Sequence, residues 1–122
     1  MKVSVIIPAY NAKATIDETL ASLSLQTFQD FEVIVVDDGS SDGTADYVQE
    51  RYPQVRVFTQ TNAGPAAARN YGVNQSQGEW LAFLDADDAW LPWRLELQLA
   101  LVTKYPDVGM FCGQTTDLVT SV

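Results

Sequence analysis

The sequence contains no histidine, one cysteine and few basic residues. The missing histidine excludes His-rich zinc sites and acid–base catalysis by imidazole. The single Cys112 excludes an internal disulfide, and this cysteine usage fits a reducing, cytoplasmic compartment. Because it lies in an apolar run, Cys112 is predicted to be a buried, inert thiol. With 7 Lys and Arg against 16 Asp and Glu, the net charge is −9. No nucleic acid partner is therefore expected, because phosphate backbones bind clustered positive charge.

Long apolar runs are absent as well. The run from Val3 to Ile7 is interrupted by Ser4 and followed by Pro8, so it is too short for the core of a signal peptide. No stretch reaches the roughly 20 apolar residues of a membrane span. The 122 residues are 47% apolar and 19% charged, which is typical of a single globular domain.

Short apolar runs alternate with helical patterns along the chain. Strands are predicted at residues 3–7, 31–36, 55–58, 80–84 and 108–112, and helices at 12–25, 44–51, 65–73 and 91–105. Asn11 is the predicted N-cap of the first helix. The last helical segment also shows the alternating leucines of a strand, but its helix-forming residues favour a helix. The alternation predicts an α/β fold, with a Rossmann-like, mostly parallel sheet and helices on both faces.

Polar clusters follow four of the predicted strands. They are Pro8-Ala9-Tyr10-Asn11, Asp37-Asp38-Gly39-Ser40, Asn62-Ala63-Gly64 and Asp85-Ala86-Asp87-Asp88. Ligands of open α/β sheets bind beyond the carboxyl ends of the strands. The four clusters therefore predict one shared binding site.

The last of these clusters contains more acids than a helix cap requires. Like charges about 4 Å apart repel by up to ~4 kcal/mol per pair at an effective dielectric constant of about 20. The surplus of Asp85, Asp87 and Asp88 predicts a divalent cation, and oxygen ligands favour magnesium, manganese or calcium over zinc. The alternative is that these acids only cap the next helix.

A cation at this place implies a ligand that carries phosphates. Arg69 would add positive potential for such a ligand, or would form a structural ion pair with a nearby Asp. Tyr10 would stack on a base or pack on the surface. Asp38 and its neighbours after the second strand would bind the ligand or serve as turn and cap residues.

The four clusters, with their flanking residues, resemble the family 2 glycosyltransferases of the GT-A fold. The matching blocks run from Val5 to Asn11, Val35 to Gly43, Asn62 to Gly72 and Phe83 to Asp88, in the family's order and spacing. The resemblance implies that residues 1–122 form the nucleotide-diphospho-sugar-binding half of a GT-A domain. It further implies transfer of a sugar from a nucleoside-diphosphate sugar, UDP-linked, to a saccharide, lipid or protein acceptor, with Mn²⁺ or Mg²⁺.

The same resemblance assigns six residues to donor binding: Pro8, Ala9, Tyr10, Asp38, Arg69 and Asp85. Residues 8–10 match the segment that lines the base, and Asp38 matches the acid that contacts it. Arg69 matches an arginine near the nucleotide, and Asp85 matches the acid on the ribose side of the Asp-x-Asp element. Asp87 matches the metal ligand.

The general base of the family has no match in this sequence. It is an acid in the acceptor half, whereas Asp117 is the only acid after Cys112 and has a different context. The resemblance therefore implies that base and acceptor half are missing and that the chain alone is inactive. Apolar surface left exposed favours a homodimer, and the full-length protein could associate with a membrane. The alternative function is a non-catalytic nucleotide-binding or assembly module.

Other α/β enzymes fit the sequence less well. A dinucleotide-binding domain requires Gly-x-Gly-x-x-Gly after the first strand, where this chain has Pro8-Ala9-Tyr10-Asn11. A phosphate-binding P-loop motif is absent too.

Overall fold

A computed structural model describes residues 2–104, 110–112 and 117–120, with side chains described in residues 2–104. The strands are β1 (Val3–Ala9), β2 (Phe31–Asp37), β3 (Arg56–Thr59), β4 (Trp80–Phe83), β5 (Met110–Cys112) and β6 (Asp117–Thr120). The helices are α1 (Ile16–Ser24), α2 (Thr44–Arg51), α3 (Pro65–Gln75) and α4 (Arg94–Lys104).

The strands form one sheet in the order β3-β2-β1-β4-β6-β5. The first four strands of that order are parallel, whereas β6 pairs antiparallel with both β4 and β5. The predicted α/β fold with a mostly parallel sheet is confirmed. Strand β6 was not predicted, because its residues Asp117–Thr120 carry only a short apolar pattern.

Helices cover both faces of the parallel strands, as predicted. On one face, α1, α2 and α4 bury Ile16, Val48 and Leu95 against alternate residues of β1, such as Val5. On the other face, α3 packs on β1 and β2. Gly72 makes that contact close, because a Cβ atom there would lie 2.5 Å from Ile6 Cγ2.

The first strand extends two residues beyond its predicted end and includes Pro8. Parallel pairing to β4 ends at Ile6, whose carbonyl oxygen accepts from Leu84 N. On the other side, Ala9 O accepts from Asp38 N, so the β2 ladder continues. Because backbone groups alternate between neighbouring strands, the Pro8 nitrogen faces the side on which β4 has already ended. Pro8 therefore stays within the strand, because its missing N–H falls where β1 no longer has β4 as a partner.

The first helix begins at Ile16, four residues later than predicted, and its N-cap is Thr15. The prediction of Asn11 as the N-cap is wrong. Asn11 has a positive φ of 49° and lies in the loop after β1. Asparagine tolerates this left-handed conformation better than most residues, so its place in the sequence reflects the loop rather than the helix.

Helix α4 confirms the helical interpretation of the ambiguous leucine segment. It begins at Arg94, three residues after the predicted start, because Leu91, Pro92 and Trp93 form a preceding turn. Strand β5 confirms the last predicted strand over Met110–Cys112. The remaining residues of that prediction and the side chain of Cys112 lie outside the described residues. Among the described residues, no helix has the length and apolar character to cross a membrane.

Asp17 connects α1 to α2 through two tyrosines. Its carboxylate accepts hydrogen bonds from the hydroxyl groups of Tyr47 and Tyr52, the latter at 2.5 Å. The hydrogen bond from Tyr47, followed by that from Tyr52, lowers the pKa of Asp17. The bond to Asp17 and burial raise the pKa of Tyr52 to about 12. Both tyrosines therefore stay neutral donors, and α1 is held in a fixed position.

A buried polar network fastens the amino ends of the strands. The Glu32 carboxylate accepts from Ser4 Oγ at 2.6 Å, from Gln77 N at 2.6 Å and from Arg56 Nη1 at 2.9 Å. Burial alone raises the pKa of Glu32, but the three donors together lower it below its usual value. The network joins β1, β2 and β3 to the segment after α3, at the end of the sheet opposite the polar clusters.

Candidate functional site

The strand order changes direction between β1 and β4, and the loops after β1, β2 and β4 meet at that point. A cavity of about 370 Å³ is lined by Pro8, Tyr10, Asn11, Ala12, Thr15, Asp85, Ala86 and Asp87. A smaller cavity of about 180 Å³ is lined by Pro8, Ala9, Tyr10, Asp38, Pro65 and Asp85. The two cavities share Pro8, Tyr10 and Asp85. Six of the seven predicted site residues therefore line one continuous region.

Tyr10 stands at the centre of this region, and its side chain is 57% exposed. It is not packed into the surface, which leaves its ring free to stack on a ligand. The next residue, Asn11, fixes the loop: its N–H donates to Ser40 Oγ at 2.8 Å, and its Oδ1 accepts from Ser41 N at 2.8 Å. These hydrogen bonds join the loop after β1 to the loop after β2.

Asp38 is buried beneath the smaller cavity and is only 4% exposed. Its carboxylate accepts from Gln60 Nε2 and Ala63 N, both at 2.8 Å, and from Gly64 N at 3.0 Å. The bond from Gln60, then that from Ala63, lowers the pKa of Asp38, so the group is ionised at neutral pH. Asp38 thus fixes the loop before α3. Its predicted contact with a base is compatible with this role, because the residue also lines the cavity.

The two neighbouring acids Asp37 and Asp42 hold turns. Asp37 accepts from the N–H of Ser40 at 3.2 Å and from its hydroxyl. Asp42 accepts from Thr44 N at 3.0 Å, at the start of α2, and from Lys13 N at 3.1 Å. The turn and cap interpretation accounts for both residues.

The acids after β4 form a compact cluster. Carboxylate oxygens of Asp85, Asp87 and Asp88 all lie within 4.8 Å of one another. Asp85 and Asp87 are exposed to the larger cavity, and Asp88 is half-buried. Burial, then the charges of Asp87 and Asp85, raise the pKa of Asp88. Three convergent carboxylate oxygens at this spacing fit an oxygen-binding divalent ion such as Mg²⁺ or Mn²⁺.

Arg69 reaches this cluster from α3. Its Nη2 lies 3.5 Å from Asp85 Oδ1, and the side chains are 40% and 54% exposed. The predicted ion pair with a nearby Asp is thus confirmed. A pair this long and exposed contributes about 0–1 kcal/mol. Arg69 can therefore leave Asp85 for an anionic ligand at little cost.

From the sequence, one residue of the site was assigned the wrong role and two others were missed. Asn11 was included in the cluster after β1 but was assigned to a helix cap, although it joins two loops. Thr15 and Thr19 were not singled out, although their hydroxyl groups bind the backbone of the acidic turn. A threonine inside an amphipathic helix gives no sequence signal of that contact. The positive φ of Asn11 is equally invisible in the sequence.

A mostly parallel sheet of this order, with an acidic turn at its switch point, is the architecture of the GT-A fold. The family model "Glycosyl transferase family 2" matches residues 4–117. The chain belongs to this family, as the resemblance implied.

The chain is also similar to curated glycosyltransferases and to solved glycosyltransferase structures. An Escherichia coli protein named UDP-Glc:alpha-D-GlcNAc-diphosphoundecaprenol beta-1,3-glucosyltransferase WfgD is 40% identical over 105 residues, which cover 84% of this chain and 41% of the relative. An uncharacterized glycosyltransferase of Haemophilus influenzae is 39% identical over 87% of this chain and 36% of its own length.

Among solved structures, S. aureus TarS 1-349 in complex with UDP superposes with a TM-score of 0.80 and 38% identity, covering 87% of this chain and 33% of TarS. Mannosyltransferase PcManGT from Pyrobaculum calidifontis, in complex with GDP-Man and Mn²⁺, gives a TM-score of 0.77 and 26% identity, covering 98% and 44%. The chain thus spans less than half the length of each of these proteins.

Proposed function

We propose that this chain is the donor-binding half of an enzyme that transfers a sugar from a UDP-linked donor to a saccharide, lipid or protein acceptor. The observation that carries the proposal is the meeting of Tyr10, Asp38 and the acidic turn around two adjoining cavities at the switch point. The UDP complex of TarS, the GDP-Man complex of PcManGT and the UDP-glucose named for WfgD support it.

The smaller cavity is the proposed place of the base. The ring of Tyr10 offers an exposed aromatic face for stacking, worth about 1–3 kcal/mol per base. Asp38 is kept ionised and fixed by Gln60, Ala63 and Gly64. Because it also lines this cavity, it would accept from an N–H group of the base. Pro8 and Ala9 complete the wall with apolar surface.

The larger cavity is the proposed place of the diphosphate and its metal ion. Asp87 would hold Mn²⁺ or Mg²⁺, and Asp85 would lie at the ribose side. When bound, the ion neutralises the diphosphate and stabilises it as a leaving group. Without positive charge, a diphosphate would be repelled by the three acids and by the net charge of −9. Arg69 would exchange Asp85 for a phosphate oxygen, since its present ion pair is weak.

The chain alone is proposed to bind the donor without transferring its sugar. In our proposal, the base that deprotonates the acceptor hydroxyl and the acceptor site belong to the part of the relatives that this chain does not span. We also propose a cytoplasmic location, which fits the presence of a single cysteine. The chain is further proposed to form a homodimer through exposed apolar surface.

Isothermal titration of UDP into the 122-residue chain, with and without Mn²⁺, tests donor binding. We expect binding that requires Mn²⁺ and that is lost in Asp87→Asn. Glu50→Gln is the matched control, because it removes one negative charge from an exposed position of α2 outside both cavities. It should bind UDP as the wild-type chain does.

Two results would count against the proposal. Metal-independent binding of UDP that survives Asp87→Asn would favour a non-catalytic nucleotide-binding module. Measurable transfer from UDP-GlcNAc to an acceptor by the chain alone would show that a base is present within these residues.

A further inference from the structure

Two threonines of α1 face the acidic turn. Thr15, the N-cap residue, and Thr19 lie one helical turn apart, so their side chains project from the same side of the helix. Thr15 Oγ1 donates to Ala86 O at 3.0 Å. Thr19 Oγ1 lies 2.9 Å from Ala86 O and 2.6 Å from Asp88 O. The two hydroxyl groups therefore bind the main chain of the turn and not its carboxylates.

Thr19 is completely buried, with an exposed fraction of 0%. A buried carbonyl needs a donor, and a hydroxyl has only one proton to share between Ala86 O and Asp88 O. Thr15 Oγ1 also lies 3.3 Å from Ala12 O, but that carbonyl already accepts from Ile16 N. The Thr15 proton can therefore serve Ala86 O, which leaves the Thr19 proton for the shorter contact to Asp88 O. Both carbonyls of the turn are thus directed at α1.

This arrangement determines where the carboxylates lie. With its carbonyls fixed against α1, the turn presents Asp85 and Asp87 to the larger cavity. The three carboxylates repel one another when no cation is present, and that repulsion drives the turn to open. The hydroxyl groups of Thr15 and Thr19 oppose the opening, and α1 itself is held by the bonds of Asp17 to two tyrosines.

We propose that Thr19, assisted by Thr15, is a positioning residue that holds the acidic turn in the geometry that binds the divalent cation. The proposal rests on the proposed function. Partners that orient metal ligands without touching the ion typically change metal affinity by about 10- to 100-fold when removed. We expect a change of that size from the loss of the Thr19 hydroxyl.

The test measures Mn²⁺ affinity in the presence of saturating UDP, by the electron paramagnetic resonance signal of free Mn²⁺. Thr19→Val keeps the shape of the side chain and removes the hydroxyl, and we expect its Mn²⁺ affinity to fall by about 10- to 100-fold. Thr19→Ser retains the hydroxyl and should restore affinity to near the wild-type value. Thermal unfolding of each variant shows that it is folded at the temperature of the assay.

Ser22→Ala is the matched control. Ser22 is also a buried hydroxyl residue of α1, but it donates to Thr19 O at 2.7 Å within the helix and does not contact the turn. Its loss should lower the unfolding temperature without changing Mn²⁺ affinity. If Thr19→Val does not fold, the comparison of Thr15→Val with Thr15→Ser decides the question. Thr15 is exposed and lines the larger cavity, so neither change disturbs the core. Loss of the hydroxyl in Thr15→Val should weaken Mn²⁺ binding several-fold, whereas Thr15→Ser should bind Mn²⁺ as the wild-type chain does.

The outcomes separate this inference from the function on which it rests. If the wild-type chain holds Mn²⁺ with UDP and Thr19→Val holds it equally well, the positioning role is refuted and the proposed function stands. If Thr19→Val lowers only the unfolding temperature, the hydroxyl is merely structural. If the wild-type chain does not bind Mn²⁺ with UDP, the proposed function fails, and the positioning role is refuted with it.

Discussion

Replacement of Asp38 by alanine tests how much the hydrogen bonds to this buried carboxylate stabilise the folded chain. The change leaves Gln60 Nε2, Ala63 N and Gly64 N without their charged acceptor, and it also removes the longer contact from Asn62 Nδ2 at 3.4 Å. Hydrogen bonds to a charged group contribute about 1.5–3 kcal/mol each, and water can reach part of this loop after the change. We therefore expect the free energy of unfolding to fall by about 3 kcal/mol, roughly 100-fold in the folding equilibrium.

Urea denaturation of Asp38→Ala and the wild-type chain measures this difference. Asp30→Ala is the control, since Asp30 is exposed and such surface changes stay within about 0.5 kcal/mol. The pKa of Asp38 in the folded chain lies below its ordinary value of 3.8. Its stabilisation is therefore complete above that value and is lost as the pH falls through the lower folded-state pKa.

The stability difference between Asp38→Ala and the wild type should accordingly be smaller at about pH 3 than at neutral pH. Comparison of the two chains cancels the titration of the acids that they share. If the free energy of unfolding falls by less than about 0.5 kcal/mol at neutral pH, the hydrogen bonds to Asp38 do not stabilise the fold, and Asp38 behaves as an ordinary surface residue.

Three further changes test the fold and the walls of the site. Glu32→Ala removes the buried partner of Arg56, and we expect the free energy of unfolding measured by urea denaturation to fall by about 3 kcal/mol. A fall of less than about 1 kcal/mol would show that the Glu32 network does not stabilise the sheet. Gly72→Ala should lower stability by about 1–3 kcal/mol, because the added methyl meets Ile6; an unchanged or higher unfolding temperature would contradict the close contact. Asn11→Gly permits the same backbone conformation but removes the side-chain amide that joins the two loops. It should weaken UDP binding about tenfold in calorimetry, which corresponds to about 1.4 kcal/mol. An unchanged affinity would show that UDP binding does not depend on this hydrogen bond.

Much of this fold is predictable because each local pattern agrees with the tertiary structure. The continuous apolar runs of β1 and β2 are typical of parallel strands buried on both faces, and both were predicted. The errors fall where tertiary context overrides local rules. Pro8 remains in a strand because its neighbour β4 has ended, which only the sheet order shows.

The sequence predicted where the candidate site lies but only some of the contacts that build it. Parallel strands bring their carboxyl ends to one edge, so Tyr10 and Asp38 were expected near Asp85, and the structure brings them together. The hydrogen bonds that fix the loop before α3 join Asp38 to residues 22 to 26 positions further along the chain. For that reason, neither the burial of Asp38 under the loop before α3 nor the contact of Thr19 with the acidic turn could be derived from spacing.

The most direct test of donor binding is a crystal of this chain grown with UDP and Mn²⁺, with anomalous diffraction collected at the manganese edge. Our account predicts a manganese peak within coordination distance of Asp87, about 2.0–2.6 Å for oxygen ligands of hard cations. The uracil ring should lie against Tyr10 and above Asp38, with the diphosphate between base and metal. A nucleotide bound elsewhere on the chain, or a manganese peak away from the acidic turn, would contradict the account.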